Sequence, residues 1–320
     1  MRNFLIACIG TGVFLASCGN NNNNTSNQNP DEISLNNEYT LPENFDLQAH
    51  RVGRGIAPEN SLFAIPIALD IPEVTTLEID LAITRDKQVI LSHEPWMSSG
   101  YCDHPNDDRI MPYEDEKIII YNMDYAQIKE FRCGGRRDRN FPDQRLKYAT
   151  KALLDTFFVE TKRVCAEKNR ELPHFNIEIK SDPEWDGFYT PKPAEFVSLT
   201  LEIINKHGLE KQCTIQSFDP RSLEEVKKQA PQMRISLLGK EGANWNDDQK
   251  SLTFKPDIYS PYFTQISPSL VKELQDNQIQ VIPYTVNDSL SMRKVIESGV
   301  NGLITDFPDK AAQIMGIYRK

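Results

Sequence analysis

The sequence predicts an α/β fold in which parallel strands close into an eight-stranded (β/α)8 barrel of the TIM type. Two observations lead there. From residue 45 onward, apolar runs of strand length alternate with amphipathic runs of helix length, the order that βαβ crossovers impose on a parallel sheet. Polar residues fall at or near the C-terminal ends of different strands: His50, His93, Lys180, Gln216 and Asp306. A barrel brings its strand ends to one rim, where barrel enzymes build their sites. In a doubly wound open sheet, the alternative, the outer strands could not all reach one point.

A first strand covers Phe45 to His50, and Val52 to Asn60 is a loop punctuated by Gly and Pro. An apolar helix from Ser61 to Leu69 is shortened or kinked by Pro66. The second strand is Thr75 to Ile83, Thr84 to Lys87 is a turn, and Gln88 to His93 is a third strand. Residues 94–151 are polar and irregular around a short helix near Asp124 to Phe131, and read as an insertion after strand 3. Such long loops in a compact domain are usually functional, as lids or substrate walls. Helix Ala152 to Lys168 leads into strand Phe175 to Lys180. Strands Cys213 to Phe218, Arg234 to Leu238, Gln280 to Val286 and Gly302 to Asp306 follow, with helices Pro193 to Lys206, Arg221 to Gln229, Pro268 to Asn277 and Leu290 to Ser298. The strands number eight, or nine if Asp257 to Ser260 is one. There is no internal repeat.

With 320 residues the chain is long enough to bury a core. It carries 36 basic and 46 acidic residues, a formal net charge of −10. That balance argues against nucleic acid as the main partner, because phosphate backbones are bound by basic surfaces. A small anionic substrate needs only a local positive site.

The first residues read as an export signal. Met1 to Asn3 is a short positive region, and Phe4 to Ala16 is an apolar stretch too short for an ordinary membrane-spanning helix. It ends in Leu15, Ala16, Ser17 and Cys18, which resembles the lipobox of bacterial lipoproteins. That resemblance implies cleavage before Cys18, lipidation of its sulfur and a membrane-anchored, exported protein of the cell envelope. An ordinary secretory signal is the alternative. Residues 18–44, opening with Gly19 and five asparagines, are polar and low in complexity, as a disordered tether would be. The domain plan is therefore a signal at 1–17, a tether at 18–44 and a barrel domain at 45–320. Export permits disulfides. Cys102 with Cys133, in one connecting segment, is the candidate pair, free buried thiols being the alternative.

The chemistry centres on two strands. Glu78 and Asp80 sit two apart in the apolar run Thr76 to Ile83, so they share a face while Leu77, Ile79 and Leu81 take the other. Taken alone this would also fit a solvated strand with alternating acids. The strand Phe175 to Lys180 repeats the design, with Glu178 and Lys180 on one face. Three acids and a lysine projecting from two apolar strands look like a divalent-cation site with an anion beside it. His50 and His93, from neighbouring strand ends, can face each other across a substrate as general acid and base. Arg51 and Lys180 would hold phosphate oxygens. His104, His174 and His207 have no such context and read as structural.

These residues carry a family resemblance. Ala49, His50 and Arg51, followed by Ala57 to Asn60, resemble the opening signature of the glycerophosphodiester phosphodiesterases. Leu77 to Asp80, Val89 to His93, Asn176 to Lys180, Gln216 to Phe218, Tyr284 to Asn287 and Gly302 to Asp306 match that family's later blocks in order. The resemblance runs from Ala49 to Pro308. It implies a TIM-like barrel of the phospholipase-C-like phosphodiesterase type that hydrolyses glycerophosphodiesters to an alcohol and glycerol 3-phosphate. It also implies one divalent cation, calcium or magnesium, on Glu78, Asp80 and Glu178, with His50 and His93 as the acid/base pair. Arg51 and Lys180 would contact phosphate, Glu59 and Asn60 would support the first histidine loop, and Gln216 and Tyr284 would complete the substrate-binding set.

Three positions depart from the pattern. Val52 stands where a glycine usually follows His-Arg, Glu94 where an aspartate follows the second histidine, and Tyr284 where a tryptophan is expected. They bear on substrate fit more than on catalysis. A sister phosphodiesterase acting on lysophospholipid, phosphoinositide or wall-polymer headgroups is one alternative. A lipoprotein that binds a polyol phosphate or glycan without turnover is another.

Overall fold

The strand–helix rhythm is realised as a ring of parallel strands sheathed by helices. The structure, a computed structural model, describes residues 39–319. The expected signal segment, Cys18 and the tether up to residue 38 lie outside the described residues. Eleven strands occur among them: β1 (Asp46–Ala49), β2 (Val74–Ile83), β3 (Val89–Leu91), β4 (Cys102–Asp103), β5 (Arg132–Cys133), β6 (His174–Ile179), β7 (Cys213–Ser217), β8 (Arg234–Gly239), β9 (Ile258–Pro261), β10 (Gln280–Val281) and β11 (Gly302–Thr305). Eight of them form one parallel path in the order β10-β9-β8-β7-β6-β2-β1-β11. The two ends of the path meet through Asn301 N–H to Val281 O, Ile304 N–H to Pro283 O and Val286 N–H to Ile304 O, all at 2.9 Å, so the barrel is nearly closed.

The expected third strand is not a barrel stave. β3 pairs antiparallel with β2, Leu91 opposite Leu81 and Val89 opposite Ile83. The reason is connection length: a parallel neighbour needs a crossover of a dozen or more residues, whereas a short turn joins only antiparallel strands. Thr84 to Lys87 is such a turn. The eighth stave is β9, the short stretch around Ile258 that the sequence left optional.

Outside the barrel stand α1 (Ala64–Ala68), α3 (Leu154–Glu167), α4 (Pro193–His207), α5 (Pro220–Gln229), α7 (Pro268–Asp276), α8 (Ser289–Glu297) and α9 (Pro308–Tyr318), with α2 (Tyr125–Ile128) in the insertion and α6 (Trp245–Asp248) after β8. Leu77, Ile79 and Leu81 face this sheath and join the main core with Phe157, Phe158 and Phe196. Each such buried side chain contributes roughly 1.5–3 kcal/mol relative to exposure. Packing begins before residue 45: Leu41 is in the core, its N–H bonded to Tyr318 O, and the Tyr39 ring meets Tyr318 edge-on.

The inner face of the barrel is divided. On β9, β11 and the segment after β10, Ile258, Ile304 and Ile282 make a small apolar cluster. On β1, β2, β6 and β7 the buried inward positions are polar: Gln48, Glu78, Asp80, Asn176, Glu178 and Gln216. The insertion has its own core over β3, built from Met97, Ile110, Ile120, Ile128 and Phe131. The β4–β5 ribbon is clasped by a Cys102–Cys133 disulfide, the pair expected from sequence, while Cys165 and Cys213 are free buried thiols.

Candidate active site

Strand register assembles the carboxylates. Asp80 on β2 lies opposite Glu178 on β6, and Glu178 opposite Gln216 on β7. Glu78, two residues before Asp80, is on the same face. Glu78, Asp80 and Glu178 each offer an oxygen within 4.8 Å of the others, and all three are buried. Lys180 Nζ stands 2.7 Å from Glu178 Oε1 and 3.1 Å from Asp80 Oδ1. Burial and the neighbouring acids push Glu78 well above the usual carboxylate range, and burial raises Glu178 too. Asp80 goes the other way, because Lys180, His93 and Arg51 together outweigh its burial.

The loop after β1 wraps this cluster. Arg51, Val52 and Gly53 all take positive φ, at 49°, 66° and 84°. The turn keeps the left-handed path a glycine would suit, with valine in it. It aims the Arg51 N–H at Glu78 Oε2, 2.7 Å away. Arg51 Nη1 donates to Glu59 Oε2 at 3.0 Å, and its Nε stands 3.5 Å from Asp80. Asn60 grips Asp80 twice, Nδ2 donating to Oδ2 and Oδ1 accepting from the Asp80 N–H. The loop also needs Gly55: a Cβ there would lie 2.5 Å from the Asp306 carbonyl oxygen and 2.6 Å from the Phe307 ring.

Each expected histidine has a carboxylate on Nδ1. His50 Nδ1 is 2.5 Å from Asp306 Oδ1, and its Nε2 lies 4.0 Å from Glu78 Oε2. His93 Nδ1 is 2.8 Å from Glu94 Oε1. Burial lowers the His50 pKa, against the pull of Asp306. Asp306 is held down to about 2 despite burial by His50, Arg54 and Asn287, and Glu94 to about 2 by His93 above all. The sequence placed Asp306 at the rim without a role. What reveals the role is barrel closure, which sets β11 beside β1.

The other expected residues surround these groups. Gln216 is buried beneath the carboxylates, its Nε2 donating to Glu78 Oε1 at 2.8 Å, so it braces Glu78. Glu59 and Asn60 brace Arg51 and Asp80. Tyr284 packs beside Phe218, its hydroxyl bonded to Gly239 O and its ring against Phe218 and Tyr262. A cleft of about 410 Å³ opens from His93, Glu178 and Lys180 between Trp96 and Trp185 on one side and Phe218 on the other. Trp96 comes from the insertion, which thus serves as a wall of the site.

The donor set fits a hard divalent cation. It is all oxygen, the acids are crowded and buried, and Asp80 Oδ1 makes no hydrogen bond even with Lys180 beside it. Fold and site together define a barrel hydrolase of the phosphodiester-cleaving class.

Similarity to known proteins narrows the class. Residues 50–310 match the glycerophosphoryl diester phosphodiesterase family, and the chain belongs to it. A glycerophosphodiester phosphodiesterase of Caldanaerobacter subterraneus is 25% identical over 265 residues, 82% of this chain and 93% of that one. The crystal structure of a Silicibacter pomeroyi protein assigned as a glycerophosphoryl diester phosphodiesterase superposes with a TM-score of 0.75 at 26% identity, covering 87% of this chain and 95% of that one. An Oleispira antarctica phosphodiesterase, solved with its product sn-glycerol-3-phosphate, shares the fold with a TM-score of 0.66 at 18% identity, over 86% of this chain and 97% of that one. The protein is accordingly an enzyme, a glycerophosphodiester phosphodiesterase.

Proposed function

We propose that the protein hydrolyses glycerophosphodiesters to an alcohol and glycerol 3-phosphate by histidine acid–base catalysis beside one divalent cation, calcium or magnesium. The observation that carries the reading is the trio Glu78, Asp80 and Glu178 within 4.8 Å, flanked by two histidines each oriented by its own carboxylate. When bound there, the cation neutralises and polarises the phosphate.

The side chains supply the rest. Arg51 and Lys180, already gathered at the carboxylates, bind the remaining phosphate oxygens. The carboxylates of Asp306 and Glu94 keep a proton on Nδ1 of each histidine, leaving Nε2 to exchange protons with substrate. One histidine takes the proton of the attacking hydroxyl, from water or from the substrate's own glycerol; the second route closes a cyclic phosphate, which water then opens to glycerol 3-phosphate. The other gives a proton to the leaving alcohol as its bond to phosphorus breaks. His50, its pKa lowered by burial, suits the base role at neutral pH.

The place of action follows from sequence alone. A signal at 1–17 and lipidation of Cys18 would hold the enzyme at the cell envelope by an N-terminal lipid anchor.

The test is release of glycerol 3-phosphate from glycerophosphocholine and glycerophosphoethanolamine, with added calcium or magnesium and then with chelator. Turnover that chelation abolishes supports the reading. Turnover indifferent to chelation removes the cation from it, and bound cation without turnover points to a different phosphodiester.

A further inference from the structure

We propose that Asn176 is a positioning residue, the hub of a buried hydrogen-bond line that rises through the barrel and fixes Glu78 in the carboxylate trio. The line has two arms, each starting on a carboxylate. At the rim, Glu78 Oε1 accepts from Gln216 Nε2 at 2.8 Å. That commits the Gln216 amino group and leaves its Oε1 facing Asn176, whose Nδ2 donates to it at 2.9 Å. At the N-terminal mouth of the barrel, Gln48 Nε2 donates to Asp46 Oδ2 at 2.8 Å. The Gln48 Oε1 thereby also faces Asn176, and Nδ2 donates to it at 2.7 Å.

The polarity of the line follows from its two ends. Glu78 Oε1 accepts from Gln216 and Asp46 Oδ2 accepts from Gln48, so both arms arrive at their meeting point as acceptors. The two acceptors are joined by one atom carrying two N–H bonds, the side-chain amide nitrogen of Asn176. Gln48, Glu78, Asn176 and Gln216 are all at most 2% exposed. In such surroundings a misdirected amide costs more than at a surface. Asn176 Oδ1 has no protein partner, so its protein hydrogen bonds are those of Nδ2.

Glu78 is therefore gripped from two sides, by Gln216 on Oε1 and by the Arg51 N–H on Oε2. The Arg51 donor is backbone and cannot reverse. The Gln216 donor can, and Asn176 is what prevents it. Asn176 makes no hydrogen bond to Glu78 itself and acts through its neighbour. Barrel interiors of this class are usually filled with branched apolar side chains. The apolar cluster of Ile258, Ile282 and Ile304 follows that rule, and the polar half departs from it where the carboxylates must be aimed.

The consequence for cation affinity rests on the proposal that Glu78 is a cation ligand; the orientation of Glu78 does not. Asn176→Asp keeps the shape and replaces two donors by acceptors. Asn176→Leu removes the donors without adding charge, and carries the test if the aspartate variant fails to fold. Calcium and magnesium are titrated calorimetrically into chelator-stripped wild type and variants, and each cation-free protein is crystallised. Loss of an outer support of this kind weakens cation binding by about 10–100-fold. An added negative charge would by attraction alone tighten it, so weaker binding by Asn176→Asp separates positioning from simple electrostatics. In the crystals, Gln216 should turn over and Glu78 should leave the trio. Affinity within twofold of wild type, or Glu78 unmoved in both variants, overturns the proposal. If wild type binds neither cation, the cation reading falls instead, and the position of Glu78 alone decides this one.

Discussion

Asp306, at the end of the last strand, holds Nδ1 of His50, at the end of the first, at 2.5 Å. Because a carboxylate accepts, the proton sits on Nδ1, and the lone pair of Nε2 points toward the carboxylate cluster. Asp306 is in turn fixed by Asn287, which donates through Nδ2 and accepts the Asp306 N–H through Oδ1. The pair exists only because the barrel closes. Residues 256 positions apart in sequence become neighbours across β11 and β1.

Asp306→Asn should therefore damage catalysis without unfolding the chain. An amide can donate to Nδ1, which would move the ring proton to Nε2 and present the wrong tautomer to substrate. We expect kcat to fall by roughly 10²–10⁴, the range typical for losing a positioned acid–base group, with circular dichroism unchanged. A kcat within threefold of wild type would show that His50 needs no such orientation.

Cation binding should register as stability. Three buried acids share the countercharge of Lys180 and Arg51, and Arg51 is also engaged with Glu59. A cation held by the folded state alone raises stability by about 2.7 kcal/mol at a hundred times its Kd. Calcium or magnesium should thus raise the Tm of chelator-treated protein, and Glu178→Gln should blunt that rise. An equal rise in both proteins would place the cation elsewhere.

Much of this site is legible in the sequence, for a physical reason. Glu78, Asp80, Glu178 and Lys180 interrupt apolar strands, and two-residue periodicity fixes their face without knowledge of the fold. Gln216 was visible as a polar strand end, but its partner was not, because whether it meets substrate or Glu78 depends on its depth in the barrel. The same limit hid Asn176 and Gln48, whose meaning lies in contacts between three strands. β3 reads as a stave by its apolar run, although its four-residue turn demands an antiparallel partner. β9 was undervalued because Ile258 to Pro261 is too short to show a period. Both corrections leave eight staves.

Val52 should prove better than the glycine usual at its position. Its φ of 66° costs a β-branched residue roughly 1–2 kcal/mol. Against that, its side chain is fully buried in the core, which contributes about 1.5–3 kcal/mol, and glycine would add about 0.5–1 kcal/mol of backbone entropy. The balance predicts that Val52→Gly lowers unfolding stability by about 1 kcal/mol. Chemical denaturation measures this directly, and a stabilised variant would mean that strain outweighs packing.

Lys151 gives the fold a pH signature that can be isolated. It closes the insertion and is 3% exposed, its Nζ donating to Ser92 Oγ at 2.7 Å and to the Tyr101 hydroxyl at 2.5 Å. Burial lowers its pKa to about 8, against the pull of Glu94, Glu59 and Asp80. In the unfolded chain a lysine titrates near 10.4. Between about pH 8 and pH 10.4 the unfolded state therefore holds a proton that the folded state has released, so this group's contribution makes stability rise with pH. Below that window both states are protonated and the folded state bears the full cost of a buried ammonium. Lys151→Met abolishes the effect, and its lost hydrogen bonds to Ser92 and Tyr101 add an offset that does not vary with pH. The stability of wild type relative to Lys151→Met should then climb by about 3 kcal/mol from about pH 7.5 to about pH 10.5. Urea denaturation of both proteins at the two pH values measures it. A difference that stays flat would mean that Lys151 keeps an ordinary pKa in the fold, its charge satisfied by the acids around it.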